Sequence, residues 1–245
     1  MRFITNEEEK NQLFSSSEYY IGEYHETISV EMTFEIDRIC TSAWGTDVTD
    51  KLPCIRDFDG CQVSLMKSLS DTVITGELLI PKVSITDMRI ILKSGVDACL
   101  KFQEQHGKFY VRANDIRYFK GIKIEQMPFH RRKEYLQRVI DQLQSPHIKM
   151  FEWHEGNILS TEEMFDYVSG HQKGIQIDYP ALADDFYFYR GDEDYPQFPL
   201  SFKGYYEYLC MRGNRQGVIF KNKNGKFGEG CLVVMCDDGE DDLPF

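Results

Sequence analysis

No stretch of these 245 residues approaches the roughly 18 consecutive apolar side chains that a bilayer-spanning helix requires. The amino terminus, Met1-Arg2-Phe3-Ile4-Thr5-Asn6-Glu7-Glu8-Glu9-Lys10, turns acidic where a secretory leader would turn apolar. The expectation is a cytoplasmic protein with no membrane partner. Cysteine is present, but not in metal-binding or redox spacing. The seven residues at 40, 54, 61, 99, 210, 231 and 236 contain no Cys-x-x-Cys pair and sit mostly in apolar surroundings. An odd number so placed reads as buried thiols, with no structural disulfide, no metal and no cofactor. Positive charge is short as well. Lys and Arg total 28 against 40 Asp and Glu, a formal net charge of −12. That excludes a protein that holds nucleic acid by overall positive charge, because phosphate contacts need local lysine and arginine. The chain has no internal repeat.

What is present is a body able to fold. Hydrophobic residues at 42% and charged residues at 28% are ordinary for a globular protein, and the length allows one large domain or one domain with insertions. The charge is uneven. Asp237, Asp238, Glu240, Asp241 and Asp242 account for five of the twelve excess negative charges and leave −7 on the rest. Basic clusters remain at Arg131-Arg132-Lys133 and at Lys221-Asn222-Lys223 with Lys226.

Residues 17 to 38 carry alternating stretches such as Thr27-Ile28-Ser29-Val30-Glu31-Met32-Thr33-Phe34, the period of a half-buried strand. Ile55 to Met66, Thr72 to Ile80 and Lys108 to Phe119 read as further strands, and residues 86 to 106 as helical. Pro128 suits the first turn of a helix running to about Gln144, with Leu136, Val139, Ile140 and Leu143 on one face and Arg131, Arg132, Lys133 and Arg138 on the other. That basic face is either a solvated surface or a nucleic-acid patch. Ser160 with Glu163 predicts a capped helix over 160–168. Gly217 to Asn222 and Cys231 to Met235 read as two strands joined through Lys223-Asn224-Gly225-Lys226. Residues 178 to 208 interleave aromatics (Tyr187, Tyr189, Tyr205 and Tyr206 among them) with Asp, Pro and Gly, and lack a clean period. Those rings could stack on unpaired bases or pack an inserted loop onto the body.

Five segments together resemble the nucleotidyltransferase (adenylation) domain of ATP-dependent DNA ligases over roughly residues 52 to 235. Asp57-Phe58-Asp59-Gly60 stands on a predicted strand where the family has Lys-x-Asp-Gly. Thr75-Gly76-Glu77-Leu78-Leu79 is similar to its Asp-Gly-Glu strand. Asn114-Asp115-Ile116-Arg117-Tyr118-Phe119-Lys120-Gly121 is similar to Phe-Asp-Ile-Leu-Tyr-x-x-Gly, and Met127-Pro128-Phe129-His130-Arg131-Arg132 to Leu-Pro-Leu-x-x-Arg. Gln216-Gly217-Val218-Ile219-Phe220-Lys221 sits where the family has Glu-Gly-x-x-x-Lys. The resemblance implies an α+β, antiparallel-sheet-rich ligase-like fold with packed helices. The chain stops where a ligase would continue into its OB domain. It implies a nucleotide cleft built around Asp57, Asp59, Glu77, Asp115, Gln216 and Lys221. The departures point away from catalysis. Ligases attack the α-phosphate of ATP with a lysine amine, and Asp57 at that position cannot form the stable phosphoramidate. Asn114 replaces the adenine-stacking aromatic, Gln216 the metal-binding glutamate, and Cys231-Leu232-Val233-Val234-Met235 the Lys-x-Lys strand. Glu77 and Lys221 read either as retained ligand contacts or as strand-end residues.

Asp237-Asp238-Gly239-Glu240-Asp241-Asp242 is too charged and too poor in apolar side chains to order itself, and the last three residues, Leu243-Pro244-Phe245, are apolar, so that Asp241 to Phe245 suits a partner with a pocket for Phe245 and a basic rim. They closely resemble the C-terminal tip of bacterial single-stranded-DNA-binding proteins, which implies a bacterial or phage-infected cell and host replication and repair enzymes as partners. The domain expectation is a β-rich extension over 1–45, a degenerate ligase-like domain over 46–235 and an acidic tail over 236–245. Three functions stay open. The chain is a non-catalytic single-stranded-DNA-binding protein using Tyr187, Tyr189, Arg190, Tyr205, Tyr206, Lys221, Lys223 and Lys226, with Asp241 to Phe245 recruiting enzymes. Alternatively it is a decoy that occupies host tip-binding pockets without DNA. The third is a residual nucleotidyltransferase using Lys51 or Lys67.

Overall fold

Alternating side chains become strands where neighbouring strands pair their backbone edges and a packed layer covers their apolar face. The computed structural model describes residues 2–25, 27–56, 63–81, 83–172, 188–189, 199–200, 216–229 and 231–236. In chain order the first elements are strand β1 (Arg2–Ile4), helix α1 (Glu7–Phe14) and β2 (Tyr19–His25). Then come β3 (Ile28–Phe34), β4 (Ile39–Ala43), β5 (Thr46–Asp47), a 3₁₀ turn (Thr49–Lys51), α2 (Pro53–Arg56), α3 (Val63–Leu69) and β6 (Val73–Leu79). The middle of the chain forms α4 (Ile85–Lys93), α5 (Val96–His106), β7 (Tyr110–Phe119), β8 (Ile122–Lys123), α6 (Phe129–Leu143) and β9 (Ile148–Met150). It ends with β10 (His154–Glu155), α7 (Ile158–Gln172), the short antiparallel pair β11 (Phe188–Tyr189) and β12 (Pro199–Leu200), β13 (Gln216–Asn222) and β14 (Cys231–Met235).

Two units divide these elements. The larger spans 27–151 and 223–229. Its seven-stranded sheet runs β5-β4-β3-β6-β7-β8, with β9 parallel to β7 and the other pairs antiparallel. On β3 the side chains Ile28, Val30, Met32 and Phe34 are buried while Ser29, between the first two, is exposed, so one face of this sheet is core. Helix α6 packs on β7 and buries Leu136, Val139 and Leu143 of the predicted stripe together with Phe129, whereas Ile140, also expected on that face, is half-buried. Gly76 sits at an irregularity in the β6–β7 ladder. A Cβ there would lie 2.6 Å from Val111 Cγ1 and 2.7 Å from the Arg112 carbonyl oxygen, so only glycine lets the strands approach this closely.

The smaller unit spans 1–26, 152–222 and 230–245. Its sheet runs β1-β14-β13-β2-β10. Ile4, Leu13, Ile21, Val218, Phe220 and Val234 bury against Met164, Tyr167 and Val168 of α7. A Cβ on Gly217 would run into the Val234 carbonyl oxygen. The β-rich stretch 1–45 is thus shared between the units: β1 and β2 belong to the smaller, β3 and β4 to the larger.

Two local expectations are corrected. The described parts of the stretch expected as a strand over 55–66, residues 55–56 and 63–66, are helical. Pro53 opens α2, and in α3 Met66 and Leu69 are buried three residues apart, a helical period. The helix predicted from Ser160 starts earlier. Asn157 is its cap, accepting from the Ser160 N–H at 3.0 Å while Ser160 Oγ accepts from the Asn157 N–H at 3.1 Å.

Candidate functional site

The side of the larger sheet opposite its core is polar, and it is wired by ion pairs. Register places Glu77 between Ser29 of β3 and Arg112 of β7, with Lys149 of β9 beyond Arg112. Arg112 Nη2 donates to Glu77 Oε2 at 2.5 Å, and its guanidinium lies 5.1 Å from the centre of the Phe151 ring. Glu77 is only 6% exposed. Burial pushes its carboxyl above the usual carboxylate range, and the Arg112 charge opposes that shift without reversing it. Further along, Arg117 Nη1 donates to Glu31 at 2.7 Å and Nη2 lies 3.5 Å from Glu125, which Lys123 also holds at 2.7 Å. The hydrogen bond from Lys123, followed by the charges of Lys123 and Arg117, keeps Glu125 below the usual carboxylate range. Thr75 Oγ1 donates to Asn114 Oδ1 at 3.0 Å.

Asp115 is occupied on the inner side. Arg132, the one charged member of the buried stripe of α6, is 0% exposed. Its Nε and Nη2 donate to the two oxygens of Asp115, both at 2.8 Å, a bidentate pair. Nη1 donates to the Met127 carbonyl and, at 3.0 Å, to the Gly225 carbonyl, and Asp115 Oδ1 also accepts from the Ile116 N–H at 2.8 Å. One guanidinium therefore ties β7, the approach to α6 and the loop after β13. Arg132 does not join Arg131 on a basic face: Arg131 and Arg138 are exposed and Lys133 half-buried, but Arg132 points into the core.

The remaining candidates are scattered or lie outside the described residues. Lys221 on β13 is 4% exposed, with Nζ 3.4 Å from the Cys231 sulfur, so it does not present an open ammonium beside the other two lysines. Lys223 is half-buried, its carbonyl accepting from the His130 N–H at 2.9 Å, and Lys226 is exposed. Gln216 pairs with His25 across β13 and β2. Tyr189 lies on β11 opposite Pro199. Asp57, Asp59, Tyr187, Arg190, Tyr205, Tyr206 and the tip Asp241, Asp242, Leu243, Pro244 and Phe245 lie outside the described residues. Of the two alternative nucleophiles, Lys51 Nζ donates to the Leu92 carbonyl at 2.6 Å and Lys67 is exposed on α3. Among the described residues no three His, Cys, Asp or Glu side chains group to hold a metal ion, and no helix is long and apolar enough to cross a membrane. Sequence reasoning missed Arg112 and Arg132 as partners of the acidic candidates. The signals were a cation in register with Glu77 on the neighbouring strand, and a cation spaced between Phe129 and Leu136 on the core stripe.

The chain has the α+β, antiparallel-sheet-rich fold of the nucleotidyltransferase domain of ATP-dependent DNA ligases. The ATP-dependent DNA ligase of bacteriophage T7, solved with ATP, matches over 96% of this chain and 68% of its own, with a TM-score of 0.55 and 10% sequence identity. A Lig E DNA ligase matches over 92% of this chain and 65% of its own at 12% identity (TM-score 0.49). Mycobacterial DNA ligase D, solved with ATP and MES, matches over 91% and 56% at 14% identity (TM-score 0.49). The chain therefore spans less than two thirds of the length of the latter two ligases. No protein-family profile and no curated protein sequence matches it.

Proposed function

We propose that this chain is a non-catalytic protein of DNA metabolism: a ligase-like body that has given up nucleotidyl transfer, binds single-stranded DNA, and carries an acidic tip that docks replication and repair enzymes. The observation that carries the reading is the occupancy of the acidic candidates. Glu77 is paired with Arg112 and Asp115 with Arg132, both largely removed from water, so neither is a free carboxylate awaiting a metal or a ribose. Asp57 at the nucleophile position, Gln216 in place of the metal-binding glutamate, and the uncharged strand Cys231 to Met235 point the same way. A carboxylate at residue 57 also adds negative charge where a triphosphate would sit.

The test has two arms. Incubation with labelled ATP and magnesium, followed by denaturing mass spectrometry, gives no AMP adduct; an adduct overturns the non-catalytic reading. Titration of labelled oligo-dT gives salt-sensitive binding at micromolar protein; its absence rules out the DNA-binding form.

Two observations favour a second reading, a decoy that occupies tip-binding pockets without holding DNA. Burial of Lys221 removes one of the three lysines assigned to a phosphate groove, and the chain is strongly acidic. Deleting Leu243 to Phe245 separates the two: a decoy loses all activity, whereas a DNA binder keeps its oligo-dT affinity and loses recruitment alone.

A further inference from the structure

Lys221 and Cys231 stand opposite each other at the end of the β13–β14 ladder, where β14 begins. Side chains directly opposed across an antiparallel pair lie on one face, about 5 Å apart at Cβ, so a lysine is long enough to bring its nitrogen onto a neighbouring sulfur. It does so here: Lys221 Nζ donates to Cys231 Sγ at 3.4 Å. Period two puts this pair on the same face as Ile219 and Val233, which also oppose each other and are buried, and leaves Val218, Phe220 and Val234 to the cluster with α7. Lys221 is 4% exposed, whereas Cys231 keeps part of its surface open to water.

Reactive cysteines sit in electropositive, partly exposed places, and fully buried thiols are inert. Among the described residues Cys54, Cys99 and Cys236 are buried. Cys40 is half-buried, but it faces the Glu35 carboxylate and the Arg38 guanidinium, and neither is an amine. Cys231 combines a reachable sulfur with a primary amine at hydrogen-bond distance. Both residues belong to segments that the sequence marks out. Lys221 closes the ligase-like run from Gln216, and Cys231 opens the strand that stands where the family has Lys-x-Lys, so the lysine faces a thiol on a strand without cations.

We propose that Lys221 and Cys231 are a modification site for peroxide, which joins the lysine nitrogen to the cysteine sulfur in a sulfenamide cross-link. In the first step the Cys231 sulfur attacks hydrogen peroxide. The O–O bond breaks, the thiol becomes a sulfenic acid, and the peroxide is reduced to water. In the second step the Lys221 nitrogen attacks that sulfur. The S–N bond forms and the S–O bond breaks; the hydroxyl leaves as water with one ammonium proton, and a second proton passes to solvent. A thiol reductant returns the electrons to sulfur and frees the amine. The bond joins the strands on either side of 222–230, a stretch whose residues 223–229 belong to the larger unit. Closing a loop in this way stabilises a fold chiefly by restricting the unfolded chain. The cross-link does not depend on DNA binding: an oligo-dT titration that fails leaves it untouched.

The unmodified protein is exposed to hydrogen peroxide, denatured without reductant, digested with a protease that does not cut at lysine, and read by mass spectrometry. The expected product is a peptide pair joined at Lys221 and Cys231, lighter than its separate parts by the hydrogens lost at sulfur and nitrogen, and released by dithiothreitol. The thermal midpoint should rise on oxidation and return on reduction. Lys221→Arg keeps a cation beside the sulfur but removes the primary amine, so the Cys231 sulfenic acid should persist, dimedone should trap it, and the rise in midpoint should vanish. Cys231→Ser should lose the link and the rise alike. Where Lys221→Arg fails to fold, which circular dichroism reports, the linked peptide and its reversal in the unmodified protein remain the test. Cys231 recovered as a free thiol, a dimedone adduct or a sulfinic acid, with Lys221 unlinked, overturns the proposal. A bond from Cys231 to another cysteine does the same. A linked pair that retains an oxygen atom overturns the sulfenamide in favour of an N–O–S bridge.

Discussion

Arg132 and Asp115 form a bidentate ion pair inside the larger unit, 17 residues apart in sequence, with the arginine fully removed from water. Two ligase-like segments, Asn114 to Gly121 and Met127 to Arg132, meet in this pair. Part of the family likeness is therefore a structural joint between β7 and α6. Losing one partner of such a buried pair leaves an uncompensated charge, which costs about 3–5 kcal/mol. Arg132→Met should lower the urea midpoint accordingly. Asp115→Leu combined with Arg132→Met should recover a large part of the loss, a non-additivity that a double-mutant cycle measures.

Glu77 gives a pH signature. Its folded-state value is raised above the ordinary 4.5, so the folded protein holds the proton more tightly than the unfolded chain. Wild-type stability contributed by this group is therefore highest on the acid side and falls as pH rises from 4.5 through the folded value. Glu77→Gln cannot titrate. Urea melts from pH 4 upward, a range starting near the ordinary glutamate value of roughly 4.3, should show the variant gaining on wild type as pH rises. A gain by wild type instead would mean that Arg112 outweighs burial.

Gly76 and Gly217 lie in two of the ligase-like segments, and both stand where strands approach too closely for a side chain. Gly76→Ala and Gly217→Ala should each destabilise by about 1–3 kcal/mol, because the obstructing atoms include backbone carbonyls. Thermal melts report the loss.

Restoring the family nucleophile should not restore catalysis. Asp57→Lys in an otherwise unchanged chain is expected to give no AMP adduct by denaturing mass spectrometry, since Gln216 and the Cys231 to Met235 strand still lack the metal and phosphate ligands. An adduct would show that residue 57 alone stands between this fold and the reaction.

Much of the sheet architecture was legible. Alternation in 27–34, β-branched and aromatic runs between turn signals in 72–80 and 108–119, and the turn between 217–222 and 231–235 all marked segments that the fold builds as strands. Partner choice was not. β2 and β3 read as one β-rich stretch, yet they join different sheets, because period 2 tells which side chains are buried and says nothing of which strand covers them. The segment 55–66 misled because apolar residues two to four apart fit either period over so short a run. At the candidate site, Glu77 and Asp115 were visible as acidic residues, but their arginine partners lie 35 and 17 residues away and emerge only through sheet register and helix packing. Trp44-Gly45 carried a turn signal in its glycine alone, since tryptophan is not a turn former.

Strand β14 is hydrogen-bonded on both sides, parallel to β1 at Arg2–Ile4 and antiparallel to β13 at Gly217–Lys221. The acidic terminal segment begins directly beyond Met235, the end of that strand. Tension along the axis of β14 would load a strand held by two ladders in shear, breaking several hydrogen bonds together. Force spectroscopy through residue 245 should therefore give a higher rupture force in the intact protein than in a variant lacking β1.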